Sequence, residues 1–451
     1  MISDRTVIAT RFGYGLPAPQ GAAGSVQEVL AQLSGPDLMA ARWPIAGTAA
    51  VASQMAARRA SRQLEGPPEV IDPIKQQAQQ VFTDSYQIGQ RHTFARAIDG
   101  GDGFRERLVS FWANHFTTVG RAVTDVQLPL AMVEDAIRPH LTGSFADLLT
   151  AATLHPAMLV YLDQVASVGP GSRRGLKRGK GLNENLAREL LELHTLGVAA
   201  PYSQGDVTEL AKLLTGAMFT PDRGMFFDPS RAEPGAEQVL GKSYDGAGLE
   251  PIDALLRDLA ARPETAQHIA RKLAVHFVAD VPEEALVAAI AAAYQASGGD
   301  LMACYAALLG HASAWQPKLQ KARQPFDFVV ASARALGIDG VALGAMEQKL
   351  FGRSFPGAMA QMGQPFKKPS GPNGFPEAAE DWISPSGLAQ RITWALQRPK
   401  MLLRDLPDPL TLARAGLGEW ASPVLLTSVA RAEDRVQGVA LVLASVEFNR
   451  R

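Results

Sequence analysis

Glu184, Glu189 and Glu192 share a short stretch with Arg188 and His194, between Asn183 and Gly197. Carboxylates can serve as general bases, arginine orients anionic groups, and histidine moves protons near neutral pH. Asn183 is of a helix-capping type and Gly197 of a terminating type, so the stretch predicts one helix. At roughly 100° per residue, Glu184, Asn185, Arg188, Glu189 and Glu192 fall on one polar arc. His194 falls about 140° or more from Glu189 and Glu192, among Leu186, Ala187, Leu190, Leu191 and Leu193. That separation disfavours a mononuclear metal site built from Glu189, Glu192 and His194. The Glu-x-x-His pattern of di-metal bundles is missing too, so no metal ligands are predicted. The candidate catalytic residues are therefore Glu189 and Glu192, with Arg188 orienting a ligand. The plainer alternative is a solvated ladder of Glu184, Arg188 and Glu192, whose pairs add only roughly 0.2–0.5 kcal/mol each.

A second charged feature precedes this helix. Arg173, Arg174, Lys177, Arg178 and Lys180 lie among Gly169, Gly171, Gly175, Gly179 and Gly181, with no acid between Gln164 and Glu184. This loop leads to Asn183 and the helix N-terminus, where free backbone N–H groups favour anions. It is read as a candidate ligand-binding flap for a phosphate, sulfate or carboxylate, against the alternative of a solvated loop. It lacks the Gly-Lys-Ser/Thr order of a phosphate loop. Lys367-Lys368 forms a further basic pair in a proline-rich segment.

The histidines have a structural alternative. His194 lies on an apolar arc, and His115 shares one with Phe104, Leu108, Phe111, Trp112 and Phe116. Such residues usually sit in the core and donate one hydrogen bond. The two could also lie close together and line an internal site. His155, before Pro156, is biased to extended backbone and suited to capping.

Composition narrows the function classes. Lys+Arg 44 against Asp+Glu 45 gives a net charge of -1 and no reason to expect nucleic-acid binding. The single cysteine, Cys304, sits in an apolar run and reads as a core residue. The longest wholly apolar run, Ala285 to Tyr294, is far short of the roughly 20 residues that span a bilayer. The N-terminus is interrupted by Asp4, Arg5 and Arg11 and does not read as a secretory signal, so a cytoplasmic protein is expected. His-Glu-x-x-His, paired Cys-x-x-Cys, Gly-x-Ser-x-Gly and dinucleotide-binding glycine patterns are absent. The sequence does not identify a cofactor.

The elements that must hold these residues are mostly helical. Periodicity predicts helices over about 46–63, 70–99, 102–118, 125–140, 156–164, 184–196, 204–215, 251–261, 263–278, 282–296, 300–311, 322–336, 386–397 and 430–444. Pro156, Pro282 and Ser384-Pro385 mark starts, and Ser203 with Asp206 stands at capping-box spacing. Met225-Phe226-Phe227 and Gln238-Val239-Leu240 could form one small hairpin. Segments 165–182, 217–250 and 352–385 read as long irregular loops. The expected fold is all-α: a multi-helix, bundle-like array with at most a small β-hairpin. The chain divides into 1–216, a connecting segment 217–250, and 251–451, which could share one core.

Ordered landmarks carry a family resemblance across nearly the whole chain. They include Arg11-Phe12-Gly13-Tyr14-Gly15, Phe111-Trp112-Ala113-Asn114-His115-Phe116, His155-Pro156-Ala157-Met158-Leu159, Tyr161-Leu162-Asp163 and the helix from Asn183. Tyr202-Ser203-Gln204-Gly205-Asp206-Val207, Leu214-Thr215-Gly216, Arg271-Lys272-Leu273, His276-Phe277-Val278, Pro325-Phe326-Asp327-Phe328-Val329-Val330 and Glu447-Phe448-Asn449-Arg450-Arg451 follow. Together they resemble the large bacterial family catalogued as domain of unknown function 1800. The resemblance implies helical architecture and no established reaction. It also implies a protein partner resembling the sulfatase/alkaline phosphatase-like family often encoded alongside. Many members carry a His-Asp pair before a Leu-Gly; here the place reads Ala232-Glu233-Pro234-Gly235, ahead of Leu240-Gly241. An acid–base or metal role for that loop is not expected in this chain.

Two functional readings follow. The first is a scaffold or partner protein acting with a neighbouring gene product, placed first because no known catalytic constellation is complete. The second is an enzyme or binding protein for an anionic ligand, using the Glu184/Arg188/Glu189/Glu192 face with the basic loop as lid.

Overall fold

Local punctuation sets most element boundaries. The computed structural model describes residues 2–122, 124–178, 181–246 and 248–451. Pro156 and Pro385 each occupy the first turn of a helix, where the missing N–H costs nothing. Ser203 and Asp206 form the expected capping box at the start of Gln204–Leu213. His155 caps its own helix, its Nδ1 accepting the Ala157 N–H at 3.1 Å.

The fold is all-α in class, as expected. Helices dominate, and the described residues hold two separate two-stranded antiparallel sheets. The two candidate strands do not pair with each other. Ala217–Thr220 (β1) pairs with Gly224–Phe227 (β2), and Glu237–Val239 (β3) with Lys242–Tyr244 (β4). Each strand thus meets its nearest neighbour in the chain. Leu240 and Gly241 both take positive φ, 49° and 79°, which is the geometry of a tight two-residue hairpin turn. The long segments are also less irregular than expected. Arg173–Arg178 is a short helix, as are Pro356–Gln361 and Ala379–Trp382. No helix among the described residues is long and apolar enough to cross a membrane. Cys304 is buried and free.

The apolar residues gather in two clusters. One takes in residues from Val7 to Ala314, including Phe104, Leu108, Phe111 and Trp112 of the helix Gly103–His115. The other is built mainly from residues 328–448, with Tyr14, Phe94–Ile98 and Leu130 joining from earlier in the chain. The division of the chain at 217–250 stays a proposal beside this arrangement. Where the clusters meet, three helices converge: Gly103–His115, Pro263–Phe277 and Pro325–Ala335. Segment 364–377 closes over their junction. Asn114 grips it in a two-way bond, donating from Nδ2 to Phe375 O at 2.9 Å and accepting from Phe375 N at 2.7 Å. Gly374 is required there: at φ 79°, an added Cβ would lie 2.5 Å from Asn114 Oδ1.

Candidate functional site

The central helix changes pitch partway. Asn185–Glu189 is α-helical, and Leu190–His194 is a π turn. The N-cap position is Glu184, which makes no side-chain cap; Asn183, the expected cap, lies one residue earlier and accepts the Asn185 N–H at 2.9 Å, while its own N–H and amide bond Ser167 and Asp163. Arg188 bridges Glu184 and Glu192 at 3.4 and 3.5 Å, with side chains 40%, 31% and 25% exposed respectively. Gln204 and Thr208 on the next helix complete the network through Glu184. Burial and the neighbouring Glu192 raise the pKa of Glu189, opposed by Arg188. These residues form a half-exposed polar face joining two helices.

The basic residues stand apart from that face. Arg174 pairs with Asp228 at 3.4 Å, and its N–H bonds Ser230 O. Arg173 and Lys177 are exposed. Lys180 and the side chain of Arg178 lie outside the described residues. Gly171 N–H donates to the Glu233 carboxylate at 2.8 Å, so the segment from Gly169 is held against the 228–233 turn.

The two suspected histidines do meet. His115 and His194 are buried, with ring centroids 5.9 Å apart, and His268 lies 6.2 Å from His115. His115 Nε2 donates to His194 O at 3.1 Å, and His268 Nε2 donates to Leu193 O at 3.0 Å. Those carbonyls belong to the helix terminus, where no intrahelical donor remains. Burial brings His194 down to about 3 and His268 to about 4, with Lys272 pushing the same way. The rings are therefore neutral.

The strongest convergence of polar groups is elsewhere, in a cavity of about 100 Å³ at the junction of the two cores. Arg107, Ser110 and Asn114 come from Gly103–His115, and His276 from the last turn of Pro263–Phe277. Phe326 and Asp327 come from the first turn of Pro325–Ala335, where a carboxylate suits the helix dipole. Lys367 and Glu377 come from the closing segment.

These groups form a chain. His276 Nδ1 bonds Glu377 Oε1 at 2.7 Å, and Arg107 approaches His276 Nε2 at 3.4 Å. Arg107 also bonds Asp327 at 3.1 Å, and Arg451 pairs with the same carboxylate oxygen at 3.3 Å. With arginine donating to Nε2, the imidazole carries its proton on Nδ1 and donates it to Glu377. Burial lowers His276 to about 4 against the opposing pull of Glu377. Burial works to raise Glu377, but His276, Lys321 and Arg451 outweigh it and bring it down to about 2. The dyad is thus a neutral imidazole oriented by a carboxylate, with its Nε2 lone pair engaged by Arg107. Ser110 bonds Tyr14 at 2.8 Å. Among the described residues no hydroxyl hydrogen-bonds His276, so a serine nucleophile with its base is not assembled.

Lys367 differs from every other charge here. Its ammonium has no hydrogen bond and no carboxylate within 4 Å among the described residues. It lines this cavity and also an adjoining one of about 30 Å³ that holds the paired Arg96, Glu106, Glu134 and Arg138. Its backbone takes φ 52°, a left-handed conformation that a non-glycine residue rarely adopts. Burial brings its pKa down to about 8, helped by Arg138 and opposed by Glu134. A larger open groove of about 1010 Å³ runs past Pro17, Asp37 and Asp102. Its charges already have partners: Asp37 with Arg138, Asp99 with Arg42 and Asp102 with Arg105.

The cavity residues were not candidates from the sequence, apart from the Lys367-Lys368 pair. Asp327 amid Phe326, Phe328, Val329 and Val330, and His276 between Val275 and Phe277, were the available signals: polar groups in apolar runs. Among the described residues no group of His, Cys, Asp and Glu side chains is arranged to hold a metal ion. No curated protein and no solved structure matches the chain. The sequence model of one family, described as "Protein of unknown function (DUF1800)", matches residues 8–450, and the chain belongs to that family.

Proposed function

We propose that the protein is a small-molecule enzyme whose site is the cavity between Arg107, His276, Asp327, Lys367 and Glu377. The observation that carries this reading is Lys367. A cation facing a cavity with no structural partner, on a strained backbone, has a cost that folding does not recover. A ligand with an anionic oxygen would supply the missing partner. His276, neutral above pH of about 4 and held between Arg107 and Glu377, would help to set Arg107 beside that ligand. Asp327 and Arg451 fix Arg107, and Arg107 with Glu377 fixes the imidazole. The cavity admits only a few heavy atoms, since water occupies roughly 30 Å³ per molecule in the liquid.

Thermal stabilisation by formate, acetate and inorganic phosphate tests the proposal. At least one should raise the melting temperature of the wild type at pH 7 and fail to do so with Lys367→Met. The same response in both proteins would remove Lys367 from the site. The polar face of Glu189 and Glu192, with Arg188 and the basic segment, remains the alternative location. There, neutralising Arg188 rather than Lys367 would abolish the response.

The scaffold reading has one observation in its favour. Val70, Ile74, Val81 and Ile88 on the helix Pro68–Asp99 are 58%, 44%, 51% and 47% exposed, and their spacing keeps them near one face. The cavity reading is preferred because it accounts for an unpartnered charge, whereas nothing in the structure shows what would cover this apolar stripe.

A further inference from the structure

We propose that Lys367 is a carbonyl-trapping amine, and that the cavity takes a small aldehyde or 2-oxo acid and holds it as an imine on Lys367 Nζ. This rests on the reading of the cavity as the ligand site and names its substrate class.

Three observations set this amine apart. It is free, whereas the more deeply buried Lys321 is tied to Asp280 and to Glu377 O. Its surroundings are partly apolar, with Phe326, Met359 and Phe366 lining the same cavity. Arginines stand nearby: Arg107 in the same wall and Arg138 in the adjoining cavity. Desolvation and a neighbouring cation are the two conditions that keep a lysine nucleophilic near neutral pH. Lys272 is a useful contrast. It also has no hydrogen bond or ion pair among the described residues, and burial brings it to about 8, but it does not line the cavity.

The step balances without any further reagent. The ammonium gives up its proton to solvent, and the neutral nitrogen adds its lone pair to the carbonyl carbon. The carbonyl π pair moves to oxygen, which is protonated. The C–O bond then breaks, a C=N bond forms, and the oxygen leaves as water with the two hydrogens of the neutral amine. No electrons are gained or lost. A cavity of about 100 Å³ suits a carbonyl compound the size of glyoxylate.

Reductive trapping tests the assignment. Full-length protein is incubated with glyoxylate and sodium cyanoborohydride at pH 7, and the modified lysines are mapped by mass spectrometry. Melting temperature with acetate and with glyoxylate, without reductant, is recorded in parallel. Lys367 is expected to label at least tenfold faster than the exposed Lys368 and than Lys272. Lys367→Arg keeps the charge and should retain acetate stabilisation while losing the fast-labelled site. Lys367→Met should lose both. Labelling of Lys367 no faster than Lys368 would overturn the carbonyl assignment; if acetate still stabilises the protein in that case, the ligand site itself stands. Equal labelling of Lys272 would also overturn it, because a depressed pKa alone would then explain the reactivity. No preferential label and no stabilisation by either compound would sink both readings together.

Discussion

Replacing Lys367 with methionine should make the protein more stable while removing its ligand response. The ammonium loses part of its hydration and gains no partner, so its proton is held less tightly in the folded chain than in the unfolded one. A fall from 10.5 to about 8 corresponds to roughly 3 kcal/mol in favour of the unfolded state at pH 7. The side chain is only partly shielded from solvent, which discounts this to about 1–2 kcal/mol. Methionine keeps the length of the stem and drops the charge, and neither side chain relieves the φ of 52°. The sign with pH follows from linkage. Between about 8 and 10.5 the unfolded chain binds more protons, so the wild type gains stability as pH rises through that window. Lys367→Met lacks this gain. Its advantage should be full at pH 7 and shrink toward pH 10. Urea unfolding of both proteins at pH 7, 8.5 and 10 measures the difference. A variant less stable than the wild type at pH 7, or an advantage that does not change with pH, would refute the account of Lys367 as an unpartnered cation. A gain in stability with loss of binding is the usual mark of a residue retained for function.

Three further outcomes are expected. Asp327→Asn should cost about 3–5 kcal/mol, because it leaves Arg107 and Arg451 buried without their shared carboxylate; a urea-measured loss below about 1 kcal/mol would show that the pairing is not structural. Gly374→Ala should loosen segment 364–377, since the new Cβ meets Asn114 Oδ1 at 2.5 Å on a positive-φ backbone; limited proteolysis should cut that segment faster, and unchanged cleavage would count against Asn114 as its clamp. Stability should fall as pH drops below about 6.5, because His194, His268 and His276 stay neutral when folded and take up protons when unfolded. Each contributes up to about 1.4 kcal/mol per pH unit down to its folded value, so His268→Asn should flatten the stability curve between pH 6 and 5 by about that slope. An unchanged slope would mean that His268 is protonated in the folded protein.

Legibility in the sequence followed the range of the forces involved. The capping box at Ser203 and Asp206 and the prolines at 156 and 385 act within one turn, and their helices begin where expected. His194 is buried as read, although its whole separation from Glu189 accrues within the π turn. The π turn itself was not readable, since a wheel at about 100° per residue assumes the α period throughout. The short helices Arg173–Arg178 and Pro356–Gln361 complete fewer than two turns, too few for a periodic signal, and lie in glycine- or proline-rich surroundings. The cavity escaped for a different reason. Its groups are at positions 107, 276, 327, 367 and 377, and each is ordinary in its own neighbourhood. Only packing of three helices under one segment makes them a site.

The densest polar stretch and the cavity are connected through backbone rather than through shared chemistry. The π turn ends with Leu193 O and His194 O unpaired within the helix, and these accept from His268 and His115. His115 is the last residue of the helix that brings Arg107 and Asn114 to the cavity, and His268 lies two turns before His276 on the other. Four and eight residues separate His268 from Lys272 and His276, so one face of Pro263–Phe277 runs from the carbonyls of the central helix to the Glu377 dyad. Anchoring both helices at the same terminus sets their spacing, and that spacing holds Arg107 at 3.4 Å from His276. The carboxylates of the central helix can therefore remain half-exposed on its outer face while its inner end fixes the geometry of a site that contains none of them.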